Sequence, residues 1–224
     1  MARHRRLLRR DDVDLVVAAV GVDRATQWGL VSGEGLPGWA DAACHQWGLF
    51  GAGWDVGGGL SALVVVTPQE SLPADHPVAH LPHVPGSAVV AAAWWSGGEA
   101  TWWRRALGVG GPDAGGRAAA VMTSLAGVLR PWVPAVEAGG VAVPGTDLRV
   151  VACGVLEAWG FERVDPGATT SDSSGAGFAV PVHRMVLDLR RTVSAGDGSW
   201  QRVMGWWRQR GLQPGSVASR ARSR

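Results

Sequence analysis

Short apolar segments are the feature that most constrains the fold of this chain. The richest runs, LSALVVVTP (60–68) and SAVVAAAWW (87–95), have the length of β-strands. No run approaches the roughly 20 apolar residues that a membrane-spanning helix needs. The chain has 224 residues, 46% of them hydrophobic, which is enough for one domain of ordinary size. We therefore expect one compact core around a β-sheet.

Helical patterns alternate with these strand patterns. The predicted elements are, in chain order, a strand and then a helix in 7–20, one or two short helices in 21–47, a hairpin around glycines 57–59, a proline-rich loop in 68–86, a strand in 87–96, a strand or short helix in 97–109, a helix in 117–129, a strand in 134–143, a helix in 147–159, and strands in 161–165 and 183–191. This order predicts the mixed α/β fold class.

Two helix predictions rest on specific capping residues. Asp11 or Asp12 can cap the first helix. Thr146 or Asp147 can cap the helix in 147–159, and Gly160 ends it. That helix has the clearest pattern, an apolar stripe at 3.6-residue spacing formed by Leu148, Val151, Ala152, Val155, Leu156 and Trp159.

Composition excludes several kinds of function. All 21 basic residues are arginine, and those at the two ends, RHRRLLRR and SRARSR, are typical of solvated tails rather than of a nucleic-acid site. Cys44 and Cys153 form no C-x-x-C pair, which favours a reducing cytoplasm and argues against a cysteine-based zinc site. The N-terminus lacks the pattern of a secretory signal. Tyrosine is absent, so no phenolic acid or base can take part in catalysis.

Three histidines in the proline-rich loop have a ligand-like spacing, H-x3-H-x2-H, at His76, His80 and His83. Pro77 and Pro82 break any helix that would place them on one face. We therefore interpret them as a solvated loop and predict no metal site.

A family resemblance appears towards the C-terminus. VLEAWGFERVD (155–165), a loop and HRMVLDLRR (183–191) resemble the C-terminal signature of the GNAT N-acetyltransferase superfamily. LPHVPGSAVVAAAWW (81–95) is similar to the proline-rich lead into the central strand in actinobacterial members, and PAVEAGG (134–140) resembles the next strand. The resemblance covers roughly residues 5–193. It implies a GNAT-like domain in 1–193, with 194–224 as a Trp/Arg-rich extension.

The resemblance implies a mixed, mostly antiparallel sheet flanked by helices, with a splayed pair of central parallel strands. Acetyl-CoA lies in that splay in the family, and its pyrophosphate sits at a helix N-terminus. The corresponding stretch here is GGPDAGGRAAAVM (110–122), in which Pro112 and Arg117 replace a polar and a small residue of the family's loop. The implied cofactor-binding residues are Leu107, Gly108, Val109, Gly115, Gly116, Arg117, Ala118 and Ala119. The alternative is a glycine-rich turn that only caps a packed helix.

The resemblance also implies catalytic positions. The family's acid is often a tyrosine, and Leu156 stands at that position, with Cys153 as a nearby substitute. Candidates for the base are Glu137, in a predicted strand, and Glu99, after the preceding strand. The function implied is an acetyl-CoA-dependent N-acetyltransferase acting on an unidentified amine. The alternative is a catalytically degenerate protein that binds a partner, with the Trp-rich tail docking on its own domain, on a second subunit or on a membrane surface.

Overall fold

The computed structural model describes residues 5–30, 36–96, 114–142, 149–164, 169–171 and 180–191. Its helices are α1 (Val13–Val20), α2 (Val22–Gln27), α3 (Gly38–Trp47), α4 (Ala114–Leu129) and α5 (Cys153–Ala158). Its strands are β1 (Arg5–Leu8), β2 (Gly51–Val56), β3 (Gly59–Pro68), β4 (Ala88–Trp95), β5 (Ala135–Val141), β6 (Val150–Ala152), β7 (Glu162–Arg163), β8 (Thr169–Ser171) and β9 (Val180–Asp188). None of the helices in these ranges is long and apolar enough to cross a membrane.

The strands form one sheet in the order β1-β2-β3-β4-β5-β9-β7, with β6 paired to β5 and β8 paired to β9. Among the described strands, only the β4–β5 and β5–β6 pairs are parallel. The predicted fold class, a mixed and mostly antiparallel sheet flanked by helices, is confirmed. The β2–β3 hairpin is confirmed as well, and it turns at Gly57 and Gly58, whose positive φ angles of 64° and 87° favour glycine.

The helices bury the central strands in a large apolar core, and a second, smaller cluster contains Val78, Leu81, Val89, Val141 and Val182. Helices α1 and α3 pack against β3, α4 packs against β2 and β3, and α5 packs against β5 and β9. The largest fully buried apolar side chains come from both strands and helices and include Phe50, Leu63, Met122, Leu125 and Leu156. The predicted strands in 87–96 and 134–143 and the helix in 117–129 are thus confirmed in this core.

The predicted helix in 147–159 is wrong in its first half. Val150–Ala152 forms β6, which runs parallel to β5 with Val150 opposite Gly139. The helix begins only at Cys153, and Gly160, with a φ of 93°, follows its end as predicted. The β-branched Val150 and Val151 pair with a strand edge that local periodicity does not reveal. Residues 143–148, with the predicted caps, lie outside the described residues.

The predicted cap of α1 is also corrected. The Asp12 carboxylate accepts hydrogen bonds from the Arg9 backbone N–H (2.9 Å) and the Arg6 guanidinium, and it makes no capping bond to α1. The predicted element in 97–109 and the extension in 194–224 lie outside the described residues, so the proposed domain boundary stays a prediction.

Candidate functional site

The two central parallel strands separate soon after they meet. Strand β4 pairs with β5 only where Ala88 lies opposite Val136 and Val89 lies opposite Glu137. Beyond Val89, the ladder that β4 makes in the described structure is with β3 alone. The splay implied by the resemblance is therefore present, with its apex at Ala88–Val89.

A β-bulge lies on β4 just beyond this apex. Val65 and Val66 of β3 lie opposite Ala92 and Val90, so Ala91 has no direct partner in the β3–β4 register. Bulges re-aim backbone groups and often occur beside active sites. This bulge turns backbone groups of β4 at the point where the strand leaves β5.

His76 of the proline-rich loop holds the bulge. Its Nε2 lies 3.1 Å from the Ala91 carbonyl oxygen, and its Nδ1 accepts a hydrogen bond from the Val78 N–H (3.4 Å). The ring is 3% exposed. Because Nδ1 accepts, Nε2 must carry the proton that is donated to Ala91, so these bonds fit a neutral imidazole.

The β5 side of the splay is occupied by the chain itself. Strand β6 pairs with Gly139–Val141 of β5, and α5 follows it directly. A Cβ atom at Gly140 would lie 2.7 Å from Met185 Cγ and 2.9 Å from Cys153 Sγ, so only glycine allows this approach. Among the described strands, β4 therefore has the edge in the splay that no other strand pairs with beyond Val89.

An aromatic contact joins β4 to the end of α5. The rings of Trp95 and Trp159 meet edge to face, with centroids 6.2 Å apart and planes at 71°. Trp95 ends β4 and Trp159 follows α5, which packs against β5. This contact connects the two sides of the splay.

Glu137, the predicted base on β5, is 1% exposed and accepts five hydrogen bonds. Its Oε2 accepts from His83 Nδ1 (2.9 Å) and Arg184 Nε (2.7 Å). Its Oε1 accepts from the Val84 N–H (2.6 Å), Ser87 Oγ (2.9 Å) and Arg184 Nη2 (3.2 Å). The carboxylate thus joins the proline-rich loop to β5 and β9.

These bonds decide the protonation of Glu137. Burial alone would raise its pKa, but the hydrogen bonds from His83, Arg184, the Val84 N–H and Ser87 outweigh burial and lower the pKa to about 2. A carboxylate of such low pKa is a weak proton acceptor at neutral pH. Its catalytic role stays a prediction, and the geometry favours a positioning role. Glu99, the other predicted base, lies outside the described residues.

His83 and His76 correct the interpretation of the loop histidines as solvated. The side chain of His83 is 5% exposed, and its two ring nitrogens each lie 2.9 Å from an acceptor, Glu137 Oε2 and the Val78 carbonyl oxygen. Both contacts are satisfied at once only when both nitrogens carry a proton. His80 is exposed, as expected. Within the described ranges, no group of three or more His, Cys, Asp or Glu could hold a metal ion.

The predicted cofactor loop is described only from Ala114 onwards. Gly115, Gly116, Arg117, Ala118 and Ala119 lie in the first two turns of α4. Arg117 Nη1 donates to Ser61 Oγ of β3 at 3.3 Å. Leu107, Gly108 and Val109 lie outside the described residues, so the binding role of this stretch stays a prediction.

The predicted acid position contains no proton donor. Leu156 is fully buried in the apolar core. Cys153, the nearby substitute, is 6% exposed and starts α5 beside Gly140. Its thiol is free, as is that of Cys44.

A cavity of about 290 Å³ borders the bulge of β4. Residues of α2, the start of α3 and the proline-rich loop enclose it, and Ala91 and Ala92 form its β4 side. Arg149 lines it and donates to Asp75 Oδ2 at 3.0 Å. The cavity therefore opens beside the splay, on the same strand as the bulge.

Three features together define the architecture. They are the strand order, the parallel pair β4–β5 that separates, and the helices packed around these strands. The sheet is the mixed, mostly antiparallel one with a splayed parallel pair that the resemblance to the GNAT superfamily implies.

Comparisons with known proteins gave structural matches only. The chain is similar to ribosomal-protein-alanine N-acetyltransferase from Brucella melitensis (12% identity, 82% of this chain and 98% of that one, TM-score 0.47). It is also similar to aminoglycoside acetyltransferase AAC(6')-Ib in complex with coenzyme A (15% identity, 85% of this chain and 97% of that one, TM-score 0.48). A third similar structure is an N-acetyltransferase from Staphylococcus aureus Mu50 (9% identity, 83% of this chain and 97% of that one, TM-score 0.46). No family model and no curated protein matches the sequence.

Sequence reasoning missed three features of the candidate site. It did not place His76 on the bulge or bring Arg184 to Glu137, and it did not find the cavity at Trp28, Trp39 and Arg149. The only local signal for the contact with Glu137 was Arg184, a charged residue within a strand of alternating apolar residues, which is an unusual position for a buried charge.

Proposed function

We propose that this chain is an acetyl-CoA-dependent N-acetyltransferase that acts on an amine. The observation that carries the proposal is the separation of β4 from β5 beyond Val89, with the bulge at Ala91 on the departing strand. A strand edge left free inside a sheet offers backbone donors and acceptors to an extended ligand. The coenzyme supplies a thioester-bound acetyl group when bound.

The described residues fit the coenzyme on one side of the splay. The edge of β4 beyond Ala91 would hold its extended arm, since β6 takes the edge of β5. The first turn of α4, with Gly115 and Gly116, would hold the pyrophosphate through backbone N–H groups. Arg117 would add a positive charge there.

The chemistry required is modest. An amide N–C bond forms, the thioester C–S bond breaks, and the proton lost by the amine balances the one gained by the sulfur. We propose that the chain contributes mainly by positioning, because Leu156 cannot donate a proton. Glu137 would fix the apex of the splay, and Glu99 is kept as the candidate base.

A binding or assembly role without catalysis is the second candidate. The Trp95–Trp159 contact across the splay, the β6 strand on the β5 edge and the absence of tyrosine favour it. In either case we propose that the protein acts in the cytoplasm without nucleic acid, and that a homodimer or protein contact uses the tail in 194–224.

Calorimetric titration of the full chain with acetyl-CoA and with CoA tests the proposal. We expect saturable binding of both, and we expect Arg117→Glu to weaken binding at least ten-fold because it reverses a charge beside the pyrophosphate. Arg130→Glu is the matched control, since Arg130 is exposed just beyond the other end of α4. No heat and no thermal stabilisation at millimolar ligand would exclude the enzyme.

A further inference from the structure

Val78 of the proline-rich loop packs beside the opening of the splay. It is 1% exposed and belongs to the smaller apolar cluster, which also contains Val89 of β4 and Val141 of β5. A Cβ atom added to Gly139 of β5 would lie 3.0 Å from Val78 Cγ1. Val78 therefore packs directly on β5, beyond Glu137, where β5 no longer pairs with β4.

The backbone of Val78 joins two histidines of the loop. Its N–H donates to His76 Nδ1 (3.4 Å), and the same ring holds the Ala91 carbonyl oxygen of β4 through Nε2 (3.1 Å). Its carbonyl oxygen lies 2.9 Å from His83 Nε2, and the other nitrogen of that ring lies 2.9 Å from Glu137 Oε2 of β5. One peptide segment is thus bonded, through a histidine on each side, to both strands of the splay.

The contacts of His83 require a cationic ring. Its two nitrogens face a carbonyl oxygen and a carboxylate, and each must carry a proton to donate. Arg184 of β9 pairs with the same Glu137 carboxylate and is the other charged group that the described contacts place in this network. If the ring lost one proton, the bond to the carboxylate would be kept, because bonds to a charged acceptor are stronger. The bond to Val78 would then be lost, while the Leu81 N–H (3.0 Å) would still bind that oxygen.

We propose that Val78 and His83 are positioning residues that set where β4 lies relative to β5 beyond the apex of the splay. The protonated ring of His83 holds Val78 against β5, and the Val78 N–H in turn orients the ring that holds the bulge of β4. This path between the strands, the Val78 bridge, consists of Gly139, Val78, His76 and Ala91. The bridge rests on the geometry alone, whereas its consequence for the coenzyme rests on the proposed function.

A double-mutant cycle in the full chain tests the bridge, with the assigned amide resonances of β4 as the readout. Gly139→Ala places a methyl group against Val78, so we expect it to shift the Ala91 amide resonance. In a chain that also carries Val78→Ala this contact is relieved, and the shift at Ala91 should be at least about two-fold smaller. Part of it remains, because Val150 Cγ1 lies 3.1 Å from the added atom. An equal shift with and without the Val78 side chain would overturn the bridge.

Variants of the loop test the role of His83 without changing β5. We expect His83→Gln to shift the amide resonances of both Gly139 and Ala91, because glutamine carries no charge and no longer holds Val78. His80→Gln is the matched control, since His80 is exposed in the same loop, and it should leave both resonances in place. Shifts confined to the loop, or equal shifts in the two variants, would overturn the role of His83.

The ring nitrogens of His83 provide a spectroscopic signature in the native chain. The full chain is labelled with ¹⁵N-histidine, and the spectrum of His83→Gln at pH 7 identifies the signals that belong to His83. Both nitrogens should have the chemical shifts of a protonated ring. The signals of a neutral ring would overturn the proposal that a cationic His83 holds Val78.

The bridge and the coenzyme site fail separately. Calorimetric titration with acetyl-CoA compares the native chain with Val78→Ala, which should weaken binding about three- to ten-fold because the edge of β4 is displaced. Val56→Ala is the control, since Val56 is 49% exposed in the β2–β3 hairpin. Unchanged affinity in Val78→Ala would overturn the positioning of the coenzyme. No binding of acetyl-CoA by the native chain, with a cycle that confirms the bridge, would count against the proposed function alone.

Discussion

The two strands of the splay are held by the same loop through different chemistry. On β4, a neutral His76 donates to the backbone carbonyl of Ala91. On β5, His83 and Arg184 hold the buried carboxylate of Glu137. Two histidines seven residues apart in the proline-rich loop thus brace both sides of one opening. The described contacts to β5 involve charged groups, whereas the described hydrogen bonds of His76 are to neutral backbone groups.

Removing the carboxylate should have the largest effect. Glu137→Gln leaves Arg184 buried without its counter-ion and places an amide N–H₂ among donors. Breaking a buried ion pair costs about 3–5 kcal/mol of unfolding free energy. Urea unfolding at pH 7 measures the loss.

The matched control for Glu137→Gln is Asp41→Asn. Asp41 pairs with Arg10 and His45, and all three side chains are more than one third exposed. An exposed pair contributes about 1 kcal/mol or less. Similar losses in the two variants would contradict a special role for the buried network.

The second-largest effect should come from acid, which weakens the contacts that the Glu137 carboxylate makes on β5. The pKa of Glu137 is lowered from 4.5 to about 2 in the folded chain, so its contribution is complete above about pH 4.5 and is lost as pH falls towards 2. That shift corresponds to roughly 3 kcal/mol. Urea unfolding at pH 7, 5, 4 and 3 should show that the difference in unfolding free energy between the native chain and Glu137→Gln becomes smaller as the pH falls. A difference that stays constant would contradict the lowered pKa of Glu137.

Local patterns were sufficient to predict much of the fold. The β2–β3 hairpin follows from turn glycines between two apolar runs, and α4 follows from an alanine-rich segment that ends before a proline. Strands β4 and β5 follow from apolar runs of strand length. Each of these signals is contained within a few neighbouring residues.

The features that the sequence could not reveal depend on distant partners. His83 and Glu137 are 54 residues apart, and Arg184 follows 47 residues later. Spacing within the loop showed three histidines but not the strand that each one meets. Val150 and Val151 fit a helical stripe equally well until β5 offers an edge for pairing. The candidate site is therefore less predictable than the elements that carry it.

Replacing each loop histidine by glutamine should have the smallest effects on the unfolding free energy. These variants should also distinguish the contacts of the loop with β4 from its contacts with β5. His83→Gln removes a hydrogen bond to a charged group, worth about 1.5–3 kcal/mol, whereas His76→Gln disturbs bonds between neutral groups, worth about 0.5–1.5 kcal/mol. His80→Gln is the control within the same loop, because His80 is exposed. Urea unfolding of the three variants at pH 7 should rank them in that order.

The pH dependence of unfolding distinguishes His83→Gln from His76→Gln more sharply than their unfolding free energies at pH 7 do. A hydrogen bond from His83 is one of the contacts that lower the pKa of Glu137. Without it, the folded-state pKa moves back up towards 4.5, so the acid-dependent loss of unfolding free energy should be smaller in His83→Gln than in the native chain and should end at a higher pH. His76→Gln should leave the loss of stability between pH 4.5 and 2 as in the native chain, because the described hydrogen bonds of His76 do not reach Glu137. Identical acid profiles for both variants would show that the two sides of the splay are held by the same kind of contact after all.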